Sequence, residues 1–251
     1  MASRTTAWLT AIGPAAAIAC GSAGSAKEQP DSGPAPAATT ASDDGGGIAW
    51  TPGGDSNPDG FAYPSPANGY GRNIRSGTTP GSVMANFKFL GYVNAMVSPR
   101  PTKISLADYY DPCGKRYKLI HVTVASVWCG PCQQETIATV AAQTELLAQG
   151  VVVLQALDDG PVQQTGATQG DLDRWISKYH TNFTELLDPG LQNFAGFFKA
   201  AEVPWNADLD PRTMEIVDAS PGWAGDIMTE LAPAFSALPA APSYPSTVTC
   251  N

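Results

Sequence analysis

The chain has 251 residues, with 14 Lys and Arg against 23 Asp and Glu, and a formal charge of −9. Nucleic-acid binding needs clustered basic side chains, and no basic stripe occurs anywhere, so that class of partner is excluded. The only histidines are His121 and His180, neither with ligand-type neighbours at zinc spacing, so no metal site is expected.

Arg4 precedes a short apolar stretch, Ala7 to Ala19, interrupted by Gly13 and Pro14. It falls short of the roughly 20 apolar residues a bilayer span needs and has the length of a signal-peptide core. Ala17-Ile18-Ala19-Cys20 resembles a bacterial lipobox, in which cleavage precedes a cysteine that is then lipidated, although Ala17 stands where leucine is usual. The alternative is ordinary cleavage near Ser25 or Ala26. By either route residues 1–19 are read as a signal peptide, and the mature chain is expected outside the cytoplasm, in a bacterial envelope or periplasm.

Residues 20–60 read as a low-complexity linker. Gly21 to Ser25 and Asp43 to Gly47 offer too little apolar surface to offset chain entropy. Residues 61–103 form an N-terminal extension, turn-rich apart from an alternating strand at Phe87 to Tyr92. Roughly 180 residues remain for a core, enough without metal or multiple disulfides.

The main domain is assigned to residues 104–251. Ser105 is placed to cap a helical turn at Leu106 to Tyr110. Lys118 to Val127 is almost continuously apolar or β-branched, as in a central strand covered on both faces. It runs into Trp128-Cys129-Gly130-Pro131-Cys132. Beyond, Ile137, Val140, Ala141, Thr144 and Leu147 recur at helical spacing, and Gly150 stands at the helix C-cap. Val151 to Leu157 is a second buried strand, and Asp158 to Gly170 a loop. Asp171 to His180 reads as a helix, Phe183 to Leu187 as a strand and Leu191 to Ala200 as a helix. A hairpin spans Trp205 to Val217, and a last helix Asp226 to Leu238. The alternation predicts an α/β fold: a central mixed β-sheet flanked by helices, with a C-terminal hairpin and helix.

A CxxC pair serves zinc or redox chemistry, but zinc requires two further ligands that Cys113 and Cys250 do not supply as a second CxxC or CxxH. At a strand-to-helix junction, unpaired N–H groups and the positive dipole end stabilise a thiolate. Cys129 is expected to be the exposed nucleophile, and Cys132, one turn in, the resolving thiol. If Cys20 carries lipid, Cys113 and Cys250 are left over. They are free to form a structural disulfide in an oxidising compartment or to remain unpaired.

Trp128-Cys129-Gly130-Pro131-Cys132 with Glu135 reads WCxPCxxE and resembles the TlpA/ResA-like branch of exported thioredoxin-fold thiol–disulfide oxidoreductases. The resemblance extends over residues 83–238, including Ile104 to Tyr109. It implies a thioredoxin-like fold and a redox-active Cys129–Cys132 disulfide. It also implies a cis peptide at Val203-Pro204 facing the CxxC, where the Val203 backbone pairs with a substrate segment. Trp128, Gly130 and Pro131 complete the motif, with Trp128 at its rim. Cytoplasmic thioredoxins carry a buried Asp six residues before the first cysteine. Thr123 stands there, so proton transfer falls to Glu135 or to water, unless Glu135 is merely a solvated helix position.

The implied partners are disulfides or thiols of exported proteins and a membrane or periplasmic thiol electron donor, with a lipid tether at Cys20, no cofactor and no association beyond a monomer. Peroxiredoxins share the fold, but their PxxxTxxC pattern is missing around Cys129. Copper-handling relatives combine CxxxC with a distant histidine, for which His180 is the only downstream candidate.

Overall fold

Continuous runs of β-branched and apolar residues make the centre of the sheet. In the computed structural model, which describes residues 51–65, 78–98, 100–241 and 248–250, every residue of strand β3 (Leu119–Ala125) is buried, and all but one of β4 (Val151–Leu157). These two strands pair in parallel, Leu119 opposite Val151 through Ala125 opposite Leu157. Such a pair needs a crossover, supplied by helix α1 (Gly130–Ala148). Helix α2 (Gln169–Tyr179) likewise connects β4 to the parallel strand β5 (Thr184–Leu187).

Antiparallel strands flank this core. The C-terminal hairpin pairs β6 (Trp205–Asp210) with β7 (Glu215–Pro221), and β6 also pairs with β3. The order follows from strands β1 (Lys88–Tyr92) and β2 (Thr102–Ser105), giving β2-β1-β5-β4-β3-β6-β7. The chain ends in helix α3 (Ile227–Ala237). A mixed sheet with two parallel crossovers, a C-terminal hairpin and a closing helix is a thioredoxin-like fold.

The expected boundary between residues 103 and 104 falls inside β2, so the 61–103 segment contributes β1 and the first half of β2 to the sheet. The expected linker also ends earlier than residue 60. Asn57 is buried and its amide donates to the Tyr110 carbonyl at 3.0 Å, while Gly53 N–H donates to Asp108 at 3.0 Å. Ser105 holds the N-cap of a 3-10 turn at Leu106–Tyr109, and its N–H donates to Asp108 at 2.8 Å.

The two faces of the sheet are covered differently. Alternate residues Ile120, Val122 and Val124 join Phe89, Phe194 and Trp205 in an aromatic-rich core. Phe198 stacks on Trp205 at 5.2 Å, and Phe87 meets Phe194 edge-on at 5.3 Å. The helix expected at Leu191 to Ala200 is absent; the segment is a series of turns. Asp188 explains this, because its carboxylate accepts from the N–H groups of Asn193 and Phe194, an alternative to helical pairing.

On the other face, α1 presents a side not expected from its apolar spacing. Ile137 is 55% exposed and Leu147 59%, with Ala141 and Thr144 also exposed. The buried residues are Cys132, Glu135, Thr136, Thr139, Gln143 and Leu146. Polar groups can face inward here because several are paired. Gln155 on β4 donates to Thr136 at 2.9 Å and accepts from Trp175 of α2 at 2.8 Å, and Thr136 donates to the Cys132 carbonyl at 2.8 Å.

Candidate active site

The β3–α1 junction places the two cysteines. Cys129 is the N-cap residue of α1, and Pro131 lies in the first turn, where a missing N–H costs nothing. The Sγ of Cys129 accepts from the Cys132 N–H at 3.1 Å, so an orphan helix donor points at this sulfur. The two cysteines are joined as a disulfide. A Cβ built on Gly130 would meet nothing within 4 Å, so packing does not demand glycine there.

Cys129 was expected to be exposed, yet it is only 2% exposed, and Cys132 is fully buried. In the oxidised pair the sulfurs turn inward against Ala125, Leu157 and Trp175, with Val127, Trp128 and Val203 packed at the edge. The peptide bond Val203–Pro204 is cis. The Val203 carbonyl lies 3.5 Å from Cys129 Sγ, a sulfur that carries no proton as a disulfide and would be a donor as a thiol. Trp128 is half-buried at the rim, and its indole N–H donates to Asp159 at 3.2 Å.

Glu135 is wholly buried, which removes the solvated reading. Burial pushes its carboxyl up to about 7; His121 pulls it down, Glu230 pushes it further up, and Asn206 and Thr123 favour the anion. His121 lies on β3 opposite Asp208 of β6, with Nδ1 2.8 Å from the Asp208 carboxylate and Nε2 3.9 Å from Glu135. Burial works against the imidazolium, but the Asp208, Glu135 and Glu230 carboxylates together outweigh it and raise the His121 pKa.

Sequence reasoning passed over His121, Asp208 and the acidic pair after β4. Asp158 accepts from Ser126 Oγ at 2.5 Å, and burial raises its carboxyl to about 6. Its signal was an acidic pair at the C-terminal end of a central parallel strand, next to the strand that carries the cysteines. His121 had a weaker signal, a lone polar ring in an apolar strand, two residues before Thr123. Asp208 had none until the β3–β6 register is known.

Cys113 and Cys250 are joined in a second disulfide across 137 residues. Cys20 lies outside the described residues, as do the signal segment and most of the linker. Among the described residues, no helix is long and apolar enough to cross a membrane.

No family model matches the chain, and no curated protein matches it. Solved structures do. A secreted thiol-disulfide isomerase from Corynebacterium glutamicum is 16% identical over 61% of this chain and 84% of that one, with a TM-score of 0.48. The exposed lipoprotein thioredoxin Etrx1 of Streptococcus pneumoniae is 20% identical over 59% of this chain and 98% of that one, at a TM-score of 0.43. Enterococcus faecalis AhpC is 12% identical over 63% of this chain and 92% of that one, at 0.47.

Proposed function

We propose that this protein is a thiol–disulfide oxidoreductase that reduces disulfides of exported proteins through the Cys129–Cys132 dithiol. The observation that carries the reading is the position of the pair. Cys129 sits at a helix N-terminus, takes the Cys132 N–H at 3.1 Å, and faces the carbonyl of a cis Val203–Pro204 peptide at 3.5 Å.

Starting from the reduced pair, the Cys129 thiolate attacks one sulfur of a substrate disulfide, and the other sulfur leaves as a thiolate. Cys132 then gives up its proton and attacks Cys129 Sγ. The Cys129–Cys132 bond forms, the bond from Cys129 to substrate breaks, and the second substrate sulfur leaves with the electron pair and is protonated by solvent. Two electrons pass from the enzyme dithiol to the substrate. A membrane or periplasmic thiol donor restores the dithiol, and no bound cofactor enters. The Val203 backbone and the Trp128 rim hold the extended substrate segment against the sulfurs. Export to the envelope with a lipid at Cys20 would tether this monomer beside such substrates. A peroxidase reading is not favoured, because Cys129 is bonded to a partner three residues along the same helix.

The test is the reduction potential of the pair, found by equilibrating the protein against glutathione or dithiothreitol and counting free thiols. A value of about −270 mV supports a reductase, whereas one of about −120 mV would reverse the direction. Absence of a reversible two-electron step would end the oxidoreductase reading.

A further inference from the structure

Resolution by Cys132 requires something to take its proton, and Thr123 leaves β3 without a carboxylate for that task. We propose that His121, clamped by Asp208, is a positioning residue for this step, fixing the Glu135 carboxylate as the acceptor of the Cys132 proton. The inference rests on the dithiol reading above.

Geometry carries it. Cys132 and Glu135 lie three residues apart on the buried face of α1, at the separation that brings helical side chains together. The β3–β6 register sets His121 opposite Asp208, whose carboxylate takes the Nδ1 side of the ring at 2.8 Å. That bond fixes the ring and turns Nε2 towards Glu135, 3.9 Å away, beyond hydrogen-bond length but close enough for charge to act.

A purely structural cluster would have its polar atoms paired. Here His121 Nε2, both carboxylate oxygens of Glu135, Thr123 Oγ1 and Asn206 Oδ1 are buried without a well-formed hydrogen bond, although Asn206 and Thr123 lie near enough to Glu135 to favour its anion. Such atoms bear a desolvation cost with little to offset it, and their concentration in one cluster calls for an account beyond packing. The cluster also has a polar way out. Asn206 Nδ2 is 3.5 Å from Glu230 of α3, and Glu230 lines a surface cavity of about 370 Å³ with Asp218, Ser220 and Thr229.

The charged groups facing the ring are Glu135 from α1, Asp208 from β6 and Glu230 from α3, while Asp218 from β7 acts on Asp208. Glu135 titrates near neutrality, where it can both take and release a proton. Removing the His121 cation raises Glu135 further and leaves less of it ionised at neutral pH.

The experiment mixes the reduced full-length protein with dithiobis(nitrobenzoate) and follows the coloured thiol. Attack by Cys129 releases the first equivalent, and resolution by Cys132 releases the second. In the wild type, the rate of the second phase should titrate with a midpoint near the Glu135 value of about 7. His121→Asn should move the midpoint of that phase up by about one pH unit and so slow it about fivefold at neutral pH. Its first phase should stay within about twofold of wild type. Asp208→Asn should shift the midpoint in the same direction.

A second phase with unchanged rate and midpoint in His121→Asn would overturn the proposal, as would equal slowing of both phases. So would a wild-type second phase that titrates only at the ordinary thiol value of about 8.5, a result that needs no variant. Release of a single equivalent by the wild type, with no Cys129–Cys132 bond in the product, would instead defeat the dithiol reading itself.

Discussion

Replacing Glu135 with Gln removes a buried acid whose proton affinity is set by the fold. Its carboxyl rises from 4.5 to about 7, first through burial. A gap of that size corresponds to about 3 kcal/mol, at about 1.4 kcal/mol per pH unit. The folded chain holds this proton more tightly than the unfolded chain does. The associated stability is therefore complete below pH 4.5, is lost as pH rises towards about 7, and changes no further above that. His121, raised from 6.5, is largely protonated in both states below that pH, so it adds little slope there. The assay is urea unfolding of the oxidised protein at about pH 5 and about pH 6.5, followed by tryptophan fluorescence. Between those conditions the wild type should lose about 2 kcal/mol more stability than Glu135→Gln. Equal losses would mean that Glu135 ionises in the fold as it does in water, and its role as a proton acceptor near neutrality would have to be given up.

Two further outcomes are expected. Converting both Cys113 and Cys250 to Ser opens a loop of 137 residues; chain entropy sets an upper value of about 5 kcal/mol for the loss, measured by urea unfolding, with the Cys129–Cys132 potential unchanged. An unaltered unfolding midpoint would contradict a stabilising role for the bridge. Ile137→Lys and Leu147→Lys should each change stability by no more than about 0.5 kcal/mol, because both side chains face solvent. Losses of several kcal/mol would place the apolar stripe of α1 against a packed surface.

Strands β3 and β4 were legible because a parallel strand covered on both faces must be apolar throughout, and few other elements share that pattern. The motif at the β3–α1 junction and Val203-Pro204 were legible as a resemblance, and the structure brings Cys129 and Val203 to 3.5 Å. The inner face of α1 was not. Apolar spacing selected Ile137 and Leu147, whereas the helix buries Thr136 and Glu135 against Gln155 on β4 and His121 on β3. A polar face that pairs across to a sheet leaves no periodic trace in its own segment. His121 and Asp208 were hidden for a related reason, since their meaning lies in a register between strands far apart in the chain. The turns after Asp188 were misread as helix because one carboxylate, not the general propensity of residues 191–200, decides their backbone.

The position of β1 has a kinetic consequence. Its inner edge pairs with β5, so Leu90 meets Leu187, and just upstream Val83 bridges to Glu215 on β7. Beyond its local pairing with β2, the beginning of the domain thus pairs with strands from the far half of the chain. Closing loops of this span before any contact repays them makes folding slow for its size, in the range of non-local β proteins rather than helical bundles. During synthesis β1 can pair early with β2, but its inner edge must wait for β5, and a chain stopped short of β7 would leave Val83 without its bridge partner.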